Sequence, residues 1–93
     1  MPYALDFSET AVEDLERLID SLPASRREKA IERIEAACQA FCERPEHSQD
    51  PSPPTFRVNF EVDGVRYYWT ATYRLGLDEG TLIVTHVFRT PPL

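Results

Sequence analysis

Hydrophobic and polar positions alternate along the middle of the chain. The run Phe56-Arg-Val-Asn-Phe-Glu-Val62 places an apolar residue at every second position. Asp63-Gly64 interrupts the alternation, and a second alternating run begins at Val65. A period of two is typical of a half-buried strand, and Asp-Gly is the strongest short signal for a two-residue type I′ turn. The pattern therefore predicts a β-hairpin in which Val62 lies opposite Val65.

This register sorts the hairpin into two faces, because cross-strand partners point to the same side of a sheet. The apolar face pairs Phe60 with Tyr67, Val58 with Trp69, and Phe56 with Ala71. The polar face pairs Glu61 with Arg66, Asn59 with Tyr68, and Arg57 with Thr70, and it continues with Thr72 and Arg74. The apolar face is expected to pack against the helices of the fold.

The N-terminal half predicts a short strand followed by two helices. Residues 3–7 alternate, and Ser8 followed by Glu9 is typical of a helix N-terminus. Apolar residues then recur at helical spacing over 9–21 and 26–43, and Ser25-Arg-Arg-Glu28 matches a capping box. The expected core-facing positions are Val12, Leu15, Leu18, Ile19 and Leu22, then Ile31, Ile34, Cys38 and Phe41. The short link between the helices predicts an antiparallel helical hairpin.

The rest of the chain adds one connection and one strand. Residues 44–55 contain four prolines and predict an irregular, extended connection. Residues 81–89 predict a last strand with an ambiguous buried face, because Leu82, Val84 and Phe88 compete with Ile83 and Val87. The order β-α-α-β-β-β within residues 1–93 predicts a single α+β domain, with a helical hairpin packed on one side of an antiparallel sheet.

Charge is distributed unevenly along the 93 residues. The net charge is −6, and residues 1–50 account for all of it with twelve Asp/Glu and six Lys/Arg. Residues 51–93 are neutral, and their cations are all arginines: Arg57, Arg66, Arg74 and Arg89. An acidic chain argues against broad nucleic-acid binding through a basic surface, but it leaves room for a local arginine patch.

Targeting signals and cofactor motifs are expected to be absent. The sequence contains no apolar run of the length a membrane helix needs and no basic, apolar leader at its N-terminus. A cytoplasmic protein without membrane contact is therefore expected. Cys38 and Cys42 share one helical face at a spacing too wide for a disulfide, so free thiols are expected rather than a disulfide or a metal site. No cofactor is expected.

Three stretches in this order resemble the RelE/ParE superfamily of bacterial type II toxins. The first is the strand and helix start with Tyr3, Leu5, Phe7, Ser8, Ala11, Asp14 and Leu15. The second is the hairpin F-R-V-N-F-E-V-D-G-V-R-Y-Y-W, and the third is the last strand L-I-V-T-H-V-F-R. The resemblance covers nearly the whole chain, and it implies the same β-α-α-β-β-β fold.

The resemblance also implies a partner and two activities. The partner is a small cognate antitoxin, usually encoded next door, which wraps the toxin in a hetero-oligomer and neutralises it. The RelE-like branch cuts messenger RNA in the ribosomal A site, whereas the ParE-like branch acts on DNA gyrase and has no RNA-cutting centre. A third hypothesis is a toxin-like binding module that has lost its chemistry.

RNA cleavage through the 2′-hydroxyl needs a proton acceptor, and it needs cations that stabilise the charge growing at phosphorus. In the resemblance, Arg57, Arg66 and Arg89 match basic positions of the RelE-like site, and Arg57, Tyr68 and Arg74 are candidates for RNA binding. Asn59 falls where a second lysine is usual, and the closing tyrosine has no counterpart. The candidate proton acceptors are His86, Glu61 and Tyr68.

Each of these residues also has a structural interpretation. Glu61 and Arg66 form a direct cross-strand pair in the predicted register, and such a pair can simply stabilise the hairpin by about 0.2–1 kcal/mol. His86 lies in an apolar strand, where a histidine is more often part of the core or an edge. Arg89 stands near the end of the chain, where a solvated side chain is common.

Overall fold

The computed structural model describes residues 3–43, 54–78 and 80–91. It contains β1 (Ala4–Phe7), α1 (Glu9–Asp20), α2 (Ala24–Glu43), β2 (Thr55–Val62), β3 (Val65–Leu75) and β4 (Thr81–Arg89). The predicted element order is confirmed. The predicted proline-rich connection over 44–55 lies outside the described residues except for its last two positions.

The four strands form one sheet in the order β1-β4-β3-β2. The pairs β2–β3 and β3–β4 are antiparallel, as predicted, whereas β1 is parallel to β4. The sheet is therefore mixed. A parallel pair needs a long connection between its strands, and here the two helices and the hairpin provide it.

The hairpin has the register that the sequence predicts. Val62 lies opposite Val65, Phe60 opposite Tyr67, and Glu61 opposite Arg66. Asp63 and Gly64 have φ values of 52° and 80°, as a type I′ turn requires at both central positions. Along β2 buried and exposed residues alternate without exception, so one hairpin face is core and the other is open.

A β-bulge resolves the ambiguity of β4. Thr72 pairs with His86 and Tyr73 with Val84, so Thr85 is an extra residue between two paired positions. Because side chains alternate faces along a strand, one extra residue reverses the faces beyond it. Leu82 and Val84 are therefore buried before the bulge and Val87 after it, while Phe88 is exposed.

The core lies between the helical hairpin and one face of the sheet. Its buried members are Ala11, Leu18, Leu22, Ala30, Ile34, Cys38, Cys42, Phe56, Val58, Phe60, Val62, Trp69, Ala71, Tyr73, Leu82, Val84 and Val87. Two aromatic groups anchor it: Phe41 stacks on Phe56 at 4.2 Å between ring centroids, and Phe60 meets Trp69 edge-on at 4.9 Å. Ring pairs at these separations add to the apolar burial.

Two helix ends differ from the predictions by one or two residues, and two apolar positions differ in exposure. Ser8 caps α1 as predicted, because its side chain accepts the Ala11 N–H. The capping box at Ser25 is wrong: α2 begins at Ala24, and the Arg26 N–H donates to the Pro23 carbonyl. Val12 and Ile31, expected to face the core, are 42% and 41% exposed.

Two side-chain contacts join the start of α2 to the hairpin. Arg26 donates to the Tyr67 hydroxyl at 3.1 Å, and the Lys29 ammonium lies 2.9 Å from an Asp63 carboxylate oxygen. These contacts fix the hairpin tip against the helix. None of the described helices is long and apolar enough to span a membrane.

Candidate functional site

The helices cover one face of the sheet, and in the described chain the other face is open. The open face carries the polar residues of β2 and β3 together with two exposed aromatic rings, Tyr68 (54% exposed) and Phe88 (39% exposed). Arg57 lies opposite Thr70, and Thr70 in turn lies opposite Phe88, so these three side chains form one row across the sheet. This surface combines aromatic and guanidinium groups, which are enriched at protein interfaces.

A cleft opens at the sheet end where β4 stops and β3 continues. β4 ends at Arg89, opposite Trp69. β3 begins at Val65, so its first residues reach beyond the end of β4. The cleft has a volume of about 260 Å³ and is lined by Leu22, Arg66, Tyr67, Tyr68, Trp69, Arg89 and Thr90. Two of the arginines expected at a RelE-like site, Arg66 and Arg89, therefore flank the same cavity.

The two arginines approach the cleft from different faces. Arg66 stands on the open face, opposite Glu61. Arg89 lies opposite the buried Trp69 and is therefore on the helix side, where its guanidinium donates to the Ser21 hydroxyl at 2.9 Å. The bulge at Thr85 causes this placement, because Arg89 would point to the open face if the same residues of β4 alternated without a bulge.

Arg57 and Arg74 are not brought into the cleft. On β3 the position opposite Arg57 is Thr70, which is four residues or about 14 Å from Arg66. Arg74 is eight residues or about 27 Å from Arg66 along the same strand. It lies opposite Ile83 and, with Asp6 and Asp78, lines a separate open pocket at the other end of the sheet.

His86 does not line the cleft, and on β4 it stands on the opposite face of the sheet from Arg89. It is exposed and lies opposite Thr72, whose hydroxyl is 3.3 Å from its Nδ1. Thr72 is six residues from Arg66, about 20 Å along β3. The structure therefore places no imidazole among the residues that line the cleft.

Glu61 and Arg66 are cross-strand partners, as predicted, but no ion pair joins them. The ion pairs within 4.0 Å among the described residues are Arg17–Asp14 and Lys29–Asp63. Glu61 stands on β2, and β4 and the cleft lie on the other side of β3. The Arg66 guanidinium is therefore not neutralised through direct contact with Glu61.

Sequence reasoning placed Leu22, Tyr67 and Trp69 on apolar faces and gave Thr90 no role, so four residues of the cleft were not predicted as site residues. Leu22 follows α1, and Thr90 follows β4 with its N–H donated to the Tyr68 carbonyl at 2.9 Å. The Thr90 hydroxyl lies 2.8 Å from the Thr70 hydroxyl. Thr90 stands in a Thr-Pro-Pro stretch that predicts only the end of a strand, and the sequence gives no signal for its place in a cavity.

The cleft can bind an anion, but the described chain offers no evident metal centre. Guanidinium groups stay charged and can donate two parallel hydrogen bonds to a phosphate or carboxylate. No group of three or more His, Cys, Asp or Glu side chains within 3–43, 54–78 and 80–91 is arranged to hold a metal ion. Cys38 and Cys42 are buried free thiols, and burial raises the pKa of the Cys38 thiol to about 12.

The fold matches solved structures of bacterial toxins. A chain of the toxin-antitoxin complex RelBE2 from Mycobacterium tuberculosis superposes with a TM-score of 0.55 at 19% identity, covering 97% of this chain and 100% of the other. The intact E. coli RelBE toxin-antitoxin complex gives a TM-score of 0.54 at 16% identity, covering 97% and 99%. A mutant of E. coli toxin RelE in the free state gives 0.52 at 18%, covering 96% and 84%. These likenesses show a RelE-like fold.

Sequence comparison gives the family. No curated protein sequence matches the chain. The family model of the ParE toxin of the type II toxin-antitoxin system parDE matches residues 5–90, which include both helices, the hairpin and every residue lining the cleft. The chain therefore belongs to the ParE toxin family, and it is a type II toxin of the RelE/ParE superfamily.

Proposed function

We propose that this toxin arrests growth by binding DNA gyrase, and that a cognate antitoxin encoded beside it holds it inactive in the cytoplasm. The match to the ParE toxin family over residues 5–90 supports this choice, because gyrase is the target that the resemblance implies for the ParE-like branch. The structures of RelBE and RelBE2 as toxin-antitoxin complexes support the antitoxin partner.

The observation that carries the choice of target is the separation of His86 from the arginine cleft. A ribonuclease needs a proton acceptor within hydrogen-bond reach of the reacting hydroxyl. His86 does not line the cleft, and its β3 partner Thr72 is about 20 Å from Arg66 along that strand. Tyr68 lines the cleft, and it contributes a phenol rather than an imidazole or a carboxylate. Binding a protein target requires no such group.

The open face has the composition of a protein-binding surface. Tyr68 and Phe88 are exposed aromatic residues, and the row of Arg57, Thr70 and Phe88 crosses three strands. Tyrosine and arginine supply much of the energy at hot spots of protein interfaces. This face is proposed to contact gyrase.

Messenger-RNA cleavage is the second candidate function. Arg66, Arg89 and Tyr68 line one cleft. The two guanidinium groups could bind a phosphate of single-stranded RNA, and the Tyr68 ring could stack on a neighbouring base. In that case the carboxylate of Glu61, which lies opposite Arg66 on the neighbouring strand β2, would act as the proton acceptor.

Inducible expression of the toxin without antitoxin separates the two activities. The gyrase proposal predicts growth arrest with a DNA-damage response, inhibition of gyrase supercoiling by the purified toxin, and intact messages. Cleavage of translated messages that is abolished in Arg66→Ala would overturn it in favour of the ribonuclease. No arrest by soluble, folded protein would overturn both activities and leave a binding module.

A further inference from the structure

The two edges of the sheet differ in how well they are protected against pairing with another strand. β1 at one edge has four residues, whereas β2 at the other edge has eight. Proteins protect sheet edges by keeping the edge strand short, or by placing a proline or a bulge in it. β2 contains no proline, and its pairing with β3 is regular from Thr55 to Val62. Among the described residues, β3 is the only strand that pairs with β2.

The backbone groups along this edge belong to alternate residues. In an antiparallel pair, residues that exchange hydrogen bonds with the neighbouring strand alternate with residues that do not. The Tyr73 N–H donates to the Pro54 carbonyl at 3.1 Å, one position beyond the pair of Thr55 and Thr72. The even-numbered residues of β2 therefore bond to β3. The odd-numbered residues direct their N–H and carbonyl groups away from β3, and they are Thr55, Arg57, Asn59 and Glu61.

The charges along the edge are symmetric about Asn59. Arg57 precedes Asn59 by two residues, and Glu61 follows it by two. A second, antiparallel copy of β2 centred on Asn59 would place each Arg57 opposite Glu61 of the other copy. Odd-numbered residues would then face odd-numbered residues, as hydrogen bonding between the two edges requires. Sliding the copy by two residues would instead place Arg57 opposite Asn59 or Asp63, and Asp63 already accepts from Lys29.

Both charged side chains of the edge have room for such a partner. They are exposed on the open face, and the ion pairs within 4.0 Å among the described residues involve neither Arg57 nor Glu61. The other side chains of β2, at its even-numbered positions, are already buried beneath the helices. Pairing through this edge therefore uses exposed side chains and backbone groups, and leaves the apolar face of β2 in the core.

We propose that two copies of this chain form a homodimer through β2, in antiparallel register centred on Asn59. The contact is isologous, so each Arg57–Glu61 pair occurs twice, and opposite charges directly across a strand pair stabilise it. The two four-stranded sheets become one continuous sheet. The inference goes beyond the proposed function and does not depend on the target. The joined open faces would present Tyr68 and Phe88 twice on one side of the sheet.

Sedimentation equilibrium of the purified toxin measures the Kd of the dimer. Arg57→Glu and Glu61→Arg each place like charges opposite one another, so each variant alone should dimerise about tenfold or more weakly than the wild type. An equal mixture of the two variants should form a heterodimer, because opposite charges then face each other at both sites. Arg74→Glu changes an exposed arginine of β3 away from the edge and is the control. Thermal unfolding checks that each variant folds.

Disulfide cross-linking tests the register without reversing a charge. In the proposed dimer the two Asn59 residues face each other with Cα atoms about 5.5 Å apart, a distance that a disulfide spans. Asn59→Cys should therefore form a covalent dimer under mild oxidation. Arg57→Cys is the matched control, since the two copies of that position would be about 13 Å apart. The native Cys38 and Cys42 are buried.

Three results would overturn the proposal. One is a wild type that stays monomeric up to about 1 mM. Another is a dimer whose Kd responds to neither charge reversal, or two charge variants that do not associate when mixed. The third is cross-linking of Arg57→Cys that equals or exceeds that of Asn59→Cys. Growth arrest and gyrase supercoiling are separate measurements, so failure of the proposed target leaves this test unchanged.

Discussion

The Asp14 carboxylate of α1 accepts a hydrogen bond from the Val87 N–H of β4 at 3.1 Å. Its other oxygen lies 3.0 Å from Arg17 on the same helix. Val87 follows the bulge at Thr85, and the Ser8 hydroxyl donates to the Thr85 carbonyl at 3.0 Å. The start of α1 therefore satisfies backbone groups that the bulge leaves without strand partners.

Removing this acceptor should destabilise the fold. Asp14→Ala leaves the Val87 N–H without its carboxylate partner in a partly buried place, and the free energy of unfolding should fall by about 1–3 kcal/mol. Asp14→Asn retains a carbonyl oxygen and should lose less. Urea denaturation measures both, with Glu13→Ala as the exposed control on the same helix. Equal stability of Asp14→Ala and Glu13→Ala would contradict the anchoring role.

The turn glycine should not tolerate a side chain. Gly64 has φ +80°, a conformation that residues with a Cβ rarely adopt, although nothing lies within 4 Å of that Cβ. Gly64→Ala should therefore cost about 1–2 kcal/mol through backbone strain alone. Gly80→Ala is the control, because its Cβ would meet only the Asp78 carbonyl at 3.9 Å. Chemical denaturation of the two variants should separate them clearly.

The contact between Lys29 and Asp63 should appear in a carboxyl titration. The hydrogen bond from Lys29 and then its charge hold the pKa of Asp63 below its ordinary value. Lys29→Met should raise that pKa, which NMR titration of the Asp63 carboxyl can follow, and Arg33→Met should leave it nearly unchanged. Because the folded pKa is lowered, this contact stabilises the fold above the ordinary pKa and is lost as the pH falls through the folded value.

The buried thiol should make stability depend on alkaline pH. Burial, then the neighbouring Cys42 and Glu35, raise the pKa of Cys38 from 9.0 to about 12. A raised pKa means that the contribution is complete below 9.0 and is lost as the pH rises toward the folded value. Denaturation at pH 8 and pH 10.5 should show a larger loss for the wild type than for Cys38→Ala. An equal loss in the two proteins would show that Cys38 ionises freely.

Arg66 should be needed for growth arrest but not for folding. Its side chain is exposed on the open face beside the cleft, so Arg66→Ala should change the stability by no more than about 0.5 kcal/mol. Growth arrest should weaken by about tenfold if Arg66 contacts the target through a charged hydrogen bond. Arg33→Ala, an exposed arginine on α2, is the matched control. Full toxicity of Arg66→Ala would remove the cleft from the target-binding surface.

Local patterns predicted most of the fold. The register of the hairpin follows from Asp63-Gly64 and strict alternation, and the start of α1 follows from Ser8, because each signal acts between near neighbours. The predicted helix faces were less accurate. Val12 and Ile31 have helical spacing, but their exposure depends on the distance between α1 and α2. The periodicity of apolar residues within one helix gives no information about that distance.

The candidate site was predicted only in part, because it depends on strand pairing between distant segments. Sequence resemblance named Arg66 and Arg89, and the structure places both at one cleft. Resemblance also named Arg57, while side-chain chemistry and the polar face of β3 suggested His86 and Arg74; all three lie elsewhere on the sheet. The bulge is the main reason that the site was not predictable: Thr85 carries no glycine or proline signal, yet it sets the face of every later residue of β4.

The bulge also affects how this toxin is compared with its relatives. Deleting Thr85 would leave Val84 opposite Tyr73 and His86 opposite Thr72, so Val87 would stay in the core and Arg89 on the helix side. In a relative whose β4 has the same length but no bulge, the residue aligned with Arg89 would stand on the open face. Related toxins are therefore best compared in this strand by strand pairing rather than by alignment columns.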